Sequence, residues 1–445
     1  MRLNPFAVIL CAWAAFSNTL VRAGAGEVEL GFVSLFDGKS LDGWTLVGKK
    51  GAGYGVKDGM IFCAKGGGGH LYTDKEFSDF IFRFEFKCDS GANNGVGIRC
   101  PLTPTSPAYL GTEIQILDTA YAKPLRPAQY HGSIYDVVPA KHDVLKPAGE
   151  WNTEEILVQG RHVKITVNGQ VAVDANLNDV TDGEILRKHA GLLRDRGHLA
   201  FLGHNDYVEF RNIRVKELPR DEKDNVPPEG FSALFNGKDL AGWKGLLARP
   251  NDNPAKRALL TPEQAAEKQK EADENMRAHW RVEDGVIAFD GKGRSLCTMK
   301  DYGDFEMLVD WKITEMGDSG IYLRGTPQVQ IWDAFNRGER TTVGSGGIFN
   351  NKDPNNRSTP LKRADKPVGE WNRMCILLVG DKATVFLNGE LVVYDEKKHD
   401  GITMENYWER EKPLYPTGQI ELQNHDSLLW FKNIYIRELP RAAAK

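Results

Sequence analysis

Two short runs carry the residues best suited to moving a proton. In GTEIQILD, 111–118, strand alternation sets Glu113 and Gln115 on one face with Leu117, while Ile114 and Ile116 point the other way. An acid beside an amide on one sheet face can take a proton from a substrate and hold its hydroxyls. In GHLAFLGH, 197–204, His204 ends a second strand with a ring whose charge changes near neutral pH. ANNGVGIR, 92–99, terminates in Arg99. An arginine closing a half-buried strand is costly unless it pairs or reaches water, so a cleft is its expected place. There a planar head with five donors suits a polyhydroxylated or carbonyl-bearing ligand. Asp118, and His131 beside Gly132 with Tyr135 nearby, complete the candidates of this region.

The same chemistry is written a second time. GDSGIYLR ends in Arg324, and TPQVQIWD places Gln328 opposite Glu113, Gln330 opposite Gln115 and Asp333 opposite Asp118. GQIELQNH, 418–425, matches His425 to His204 and puts Glu421, Gln423 and His425 on one strand face. His131 has no such match, Ser345 standing opposite it. A solvated strand also alternates polar with apolar residues, and a lone histidine is more often packed than catalytic. Retention of amide and histidine at matching places in copies that differ elsewhere favours a cleft.

The whole chain is built on that duplication. GFVSLFDGKSLDGW at 31–44 returns as GFSALFNGKDLAGW at 230–243, GEWN at 149–152 returns at 369–372, and YVEFRNIRVKELPR returns as LLWFKNIYIRELPR. A period of roughly two hundred residues is too long for a solenoid, so each copy is a domain. Alternating runs such as FIFRFEFKC and HVKITVNGQVAV, with Asn168-Gly169 and Asn388-Gly389 as hairpin turns, predict antiparallel strands. The expected fold is all-β: two tandem jelly-roll sandwiches at 26–220 and 230–441, joined by the charged, Pro-containing linker 221–229. One helix is expected, over 261–280 in an insertion of the second copy, as a lid, a brace or a solvated surface helix. Trp151 and Trp371 of GEWN are expected to plug the cores.

Charge and composition narrow the function. A net charge of −4 without a basic stripe argues against nucleic acid. Residues 1–25 read as a secretory signal, with Arg2, an apolar run to Phe16 and a small-residue exit, so the protein is expected to be secreted or periplasmic. Lipid attachment at Cys11 is the competing reading, disfavoured by Leu10 before it. No other stretch could span a membrane. Of six cysteines Cys11 falls in the leader, and the remaining odd number cannot all pair internally. Burial as small hydrophobes is the expectation, with one bridge among Cys63, Cys88 and Cys100 as the alternative. No zinc, calcium or phosphate-loop motif is present, the run Gly66–Gly69 being expected as a flexible turn. No cofactor is implied; a carboxylate-lined cleft leaves a divalent ion open.

FDGKSLDGW and FNGKDLAGW, the turn before Arg99 and Arg324, EIQILD and PQVQIWD, KPAGEWN and KPVGEWN, the LNG hairpin, IELQNH and the FRNI or FKNI run before ELP together resemble the 3-keto-disaccharide hydrolase family. The resemblance implies a concanavalin A-like jelly roll, a carbohydrate substrate and hydrolysis of 3-keto-glycosides outside the cytoplasm. A C3 ketone acidifies the C2 hydrogen, so proton abstraction, elimination of the C1 substituent and hydration cleave the bond. In that scheme Glu113 is the base, Arg99 steadies the oxyanion, His204 is acid or base and Gln115 orients the sugar. The second copy would use Arg324, Gln328, Gln330 and His425, with Glu421 as its acid. It departs from the first in lacking Glu113, as the first lacks Glu421 and Gln423, replaced by Ala200 and Leu202. The alternative is a non-catalytic tandem lectin with Trp332, Trp371 and Trp408 as stacking platforms.

Overall fold

The computed structural model describes residues 29–141, 144–336, 338, 341–352 and 357–441. The leader read at 1–25 lies outside the described residues. Alternation builds the strands: in Phe80–Cys88 every second residue from Phe80 is buried and those between are half-exposed. Among the described residues the strands form four antiparallel sheets. The first half has an eight-stranded and a five-stranded sheet, the second a nine-stranded and a five-stranded one. Phe80–Cys88 and Phe305–Ile313 lie inside the two large sheets, each beside the long strand that ends its half, Val208–Glu217 or Leu428–Glu438. Asn168 and Asn388 take φ of 49° and 53° and their glycines 78° and 83°, the doubly positive turn that a two-residue hairpin needs.

Within each half the two sheets face each other over an aromatic core, giving two tandem all-β jelly-roll sandwiches. Phe201 of the small sheet stacks on Phe210 of the large one at 3.8 Å, with Trp44 and Phe84 at 5.5 and 5.7 Å. Each such ring contributes about 1.5–3 kcal/mol by leaving water. Trp151 and Trp371 are not core plugs. They are half-buried on the outer face of the large sheets beneath cations, Arg211 at 3.9 Å from one ring and Lys432 at 4.8 Å from the other. Cationic neighbours on the outer face of the same sheet keep an indole there without full burial.

The expected helix is Pro262–His279, opened by Thr261 and Gln264 in a reciprocal capping box. It is a brace: Asp273 accepts the Gly245 amide at 3.0 Å, Gln269 donates to the Gly245 carbonyl, and Met276 enters the core. Cys63, Cys88, Cys100, Cys297 and Cys375 are all buried and free. The glycine run is a turn only at its start, at Gly66; Gly68 and Gly69 start a strand, where a Cβ on Gly69 would meet the Val47 carbonyl at 2.9 Å.

The halves are docked along a wide interface. One contiguous core cluster takes in Leu177, Leu186 and Leu193 of the first half with Leu377, Val379 and Phe386 of the second. Glu306, fully buried, lies between Arg161 and Arg437, the latter at 2.9 Å. Burial would raise its pKa, but the two guanidiniums hold it below the usual range. A cavity of about 440 Å³ lies under residues 219–229, and its charged lining is largely self-paired, as in Arg99–Asp79, Arg220–Asp195 and Arg373–Glu222.

Candidate functional site

The five-stranded sheet of the first half turns one face away from the core, and pairing register fixes what it carries. One row runs Thr45, Tyr72, Ala200, Gly97, Glu113; the next runs Val47, His70, Leu202, Gly95, Gln115. Gly95 and Gly97 leave a trough, and the Glu113 side chain lies in it: a Cβ on Gly95 would fall 2.0 Å from Glu113 Oε1. Across the trough stands His204, its Nε2 3.7 Å from Glu113 Oε1. The carboxylate side chain is 5% exposed and the imidazole 44%, so the acid is sheltered and the histidine sits at the mouth. Burial would lower the His204 pKa, but the Glu113 contact and charge outweigh it and raise it.

His70, on the same face, is a participant that the sequence reading missed. Burial first, then His204 and Lys50, push its pKa down to about 4, so its ring is neutral. Its Nδ1 is buried without a partner, as are Glu113 Oε1 and Gln115 Oε1. Gln115 Nε2 reaches Asn93 Oδ1 at 3.4 Å. Buried polar atoms left unpaired on one face are what a hydrogen-bonding ligand satisfies. Tyr135 borders the trough: its amide donates to the Glu113 carbonyl at 2.9 Å, and its phenol pKa is raised by burial, then by Asp136, Tyr109 and, more weakly, Glu113.

Other candidates lie elsewhere. Arg99 does not enter the trough; its head donates to the Ser78, Gly160 and Arg194 carbonyls and to Asp79, tying loops together. Arg324 does the same with Gly303, Gly380, Tyr415 and Asp304. Asp118 accepts the Gly91 and Ala120 amides, and Asp333 those of Met316, Phe335 and Asn336, so both carboxylates close turns. His131 packs against Phe86 of the core at 5.3 Å, and burial lowers its pKa to about 3. Trp332 is no platform, being buried with Nε1 bonded to the Gly344 carbonyl.

The second half repeats the trough with different contents. Gln328 fills the space over Gly320, and its amide donates to Gln423 Oε1 at 2.6 Å, while Gln330 donates to Asp318 at 2.7 Å. His425 Nδ1 lies 3.8 Å from Asp318 Oδ2. Lys244, Cys297, Glu421, Tyr322 and Gln328 form one row. Glu421 therefore lies two strands from Gln328, buried, with Oε1 lacking a hydrogen-bond partner and Arg257 of the insertion 4.0 Å from it. Burial raises its pKa to about 7. Trp408, its Nε1 held by the Gly325 carbonyl, stacks over Tyr322 at 6.4 Å. Among the described residues no three His, Cys, Asp or Glu side chains gather to hold a metal ion, and no helix is long and apolar enough to cross a membrane.

These paired faces have relatives. A protein of Bacteroides thetaiotaomicron named 3-keto-disaccharide hydrolase is 28% identical over 249 residues, which is 46% of this chain and 86% of that protein. A crystal structure from Parabacteroides distasonis ATCC 8503, described provisionally as a glycosyl hydrolase, is 23% identical over 42% of this chain and 94% of its own, with a TM-score of 0.36. Another from that organism, of the same description, is 26% identical over 50% and 92%, with a TM-score of 0.35. A family profile described as the 3-keto-alpha-glucoside-1,2-lyase-like domain matches residues 31–216 and again 230–437. With most of its length matched once per half, the chain belongs to the 3-keto-alpha-glucoside-1,2-lyase-like domain family.

Proposed function

We propose that the chain is an exported enzyme that cleaves 3-keto-glycosides, with the first half's trough as a catalytic site. The observation that carries this is the set of buried atoms without a hydrogen-bond partner, Glu113 Oε1, Gln115 Oε1 and His70 Nδ1, gathered beside His204. In a 3-keto sugar the Glu113 carboxylate takes the C2 proton, and the C2–H electron pair forms the enolate across C2 and C3. The enolate collapses: the C3 carbonyl returns, a C1–C2 double bond forms, and the C1–O bond breaks with its electron pair on the departing oxygen. The imidazolium of His204, steadying negative charge beforehand, gives that oxygen its proton. Water then adds its hydroxyl to C1 and its proton to C2, and the proton held by Glu113 passes to His204, which restores both groups and completes a net hydrolysis. His70 Nδ1 and Gln115 Oε1 offer two buried places to hold sugar hydroxyls.

One observation favours a second site of the same kind: Glu421, its Oε1 without a hydrogen-bond partner and its pKa about 7, is poised as acid or base on the equivalent face. Gln328, Gln330, Gln423 and His425 would orient its sugar. The leader-like residues 1–25 support export.

The test is turnover by the full chain. Incubated with a 3-keto-glycoside and with the plain glycoside, it is expected to release sugar from the first only. Glu113→Gln should lower that rate about 10²–10⁴-fold. Binding of both sugars without product would leave a lectin; full activity in Glu113→Gln would move the chemistry to Glu421.

A further inference from the structure

Tyr109 stands on the one-turn helix Pro107–Leu110, which hands the chain to the strand bearing Glu113. Its ring is stacked by His399, a residue of the second half, with centroids 4.4 Å apart and planes at 25°. His189 lies at 5.0 Å and the Lys188 ammonium at 5.1 Å from the same ring. The same ammonium lies 3.4 Å from Asp136, the chain neighbour of Tyr135, so the Tyr109 ring stands at the trough's border with His399 behind it. Burial raises the phenol pKa first, then the charges of Asp136 and Glu113.

His399 is itself held. Its Nε2 lies 3.1 Å from Ser106 Oγ, just ahead of the Tyr109 helix. The loop that bears it is tied to helix Gly183–Lys188 by the Tyr394 hydroxyl, which donates to the Lys188 carbonyl at 2.6 Å, and by Arg187–Asp400 at 3.1 Å. A loop of the second half thus clamps one edge of the first half's trough.

We propose that the second half completes the first half's substrate site, His399 acting as a positioning residue that aims the Tyr109 hydroxyl at a hydroxyl or glycosidic oxygen of the bound sugar. The proposal rests on the assignment of the Glu113 trough as the 3-keto-glycoside site. Glu306, with Arg161 and Arg437, joins the halves through other residues than this contact, so removing one ring does not undock them.

The test is steady-state kinetics on the intact chain with a 3-keto-glycoside, beside melting curves. His399→Ala and Tyr109→Phe should each raise KM about three- to tenfold, the size expected for one lost ring contact or hydrogen bond, with kcat within about twofold. The double variant should be no worse than either single, because both remove one interaction. His399→Phe, which keeps the stack, should recover most of the loss. Unchanged KM in His399→Ala alongside an inactive Glu113→Gln overturns the inference and leaves the site assignment standing. A lowered melting temperature with unchanged KM overturns it too, and an active Glu113→Gln overturns the assignment on which it rests.

Discussion

The Glu113 carboxylate occupies the volume in which a side chain on Gly95 would begin, Oε1 lying 2.0 Å from that Cβ position, and Gln328 Nε2 stands in the same relation to Gly320 at 1.9 Å. Gly95 is not among the residues of positive φ, so alanine is allowed there by its backbone and the conflict is purely steric. Gly95→Ala should expel the carboxylate from the trough, with an overpacking cost of about 1–3 kcal/mol. Turnover should fall at least about tenfold, since catalysis by a positioned base is lost with its position. A variant with wild-type turnover would mean that Glu113 is not held where the reaction needs it.

His204 owes its raised pKa to Glu113, which overcomes the effect of burial. Replacing the acid by Glu113→Gln removes the raising contribution, so the imidazole should titrate at lower pH than in the native chain. Imidazole proton resonances followed between pH 5 and 9 report this directly. In the native protein the pair favours folding below the ordinary histidine pKa, and that contribution is lost as pH rises through the raised value. With a histidine this exposed it amounts to a few tenths of a kcal/mol.

Glu154 is buried in the first core with neither oxygen paired, and burial raises its pKa to about 8 from 4.5. Below pH 4.5 the acid is neutral whether the chain is folded or not. As pH rises toward 8 the unfolded chain ionises and the folded one does not, so stability declines across that window and levels off above it. Glu154→Met, which installs the residue found at the matching position Met374, should flatten that decline. Melting temperatures of the two proteins should therefore diverge with rising pH; parallel curves would show that Glu154 finds a partner in solution.

Glu306 holds Arg161 and Arg437 at the interface between the halves, where the first copy has Ile81 at the matching position of its outer strand face. Glu306→Ile leaves two guanidiniums without their carboxylate and should cost about 3–5 kcal/mol. Denaturant titration gives the number, and a loss below 1 kcal/mol would show that the arginines find other acceptors.

Alternation made the strands readable, as Phe80–Cys88 illustrates, and the Asn-Gly pairs turn where expected. The site was readable only in part, because identity between two copies marks what both scaffolds need. Arg99 and Arg324, Asp118 and Asp333 are identical between halves since both halves tie the same loops and turns through them. The acids of the trough differ, Glu113 against Gln328 and Ala200 against Glu421, while Gln115 with Gln330 and His204 with His425 match. His70 lay in a strand that the matching positions did not flag, although its two-residue spacing from Tyr72 puts both on one face. The docking of the halves had a faint signal, Glu306 in the strand FEMLVDWKI where the first copy has Ile81.

Because Leu177, Leu186 and Leu193 share a single apolar mass with Leu377, Val379 and Phe386, severing the exposed connector near Asp221 would not release two beads. The fragments would stay associated and melt together. What began as a doubled unit has become an obligate pair, in which neither member can be exchanged or deleted without exposing the other's greasy flank.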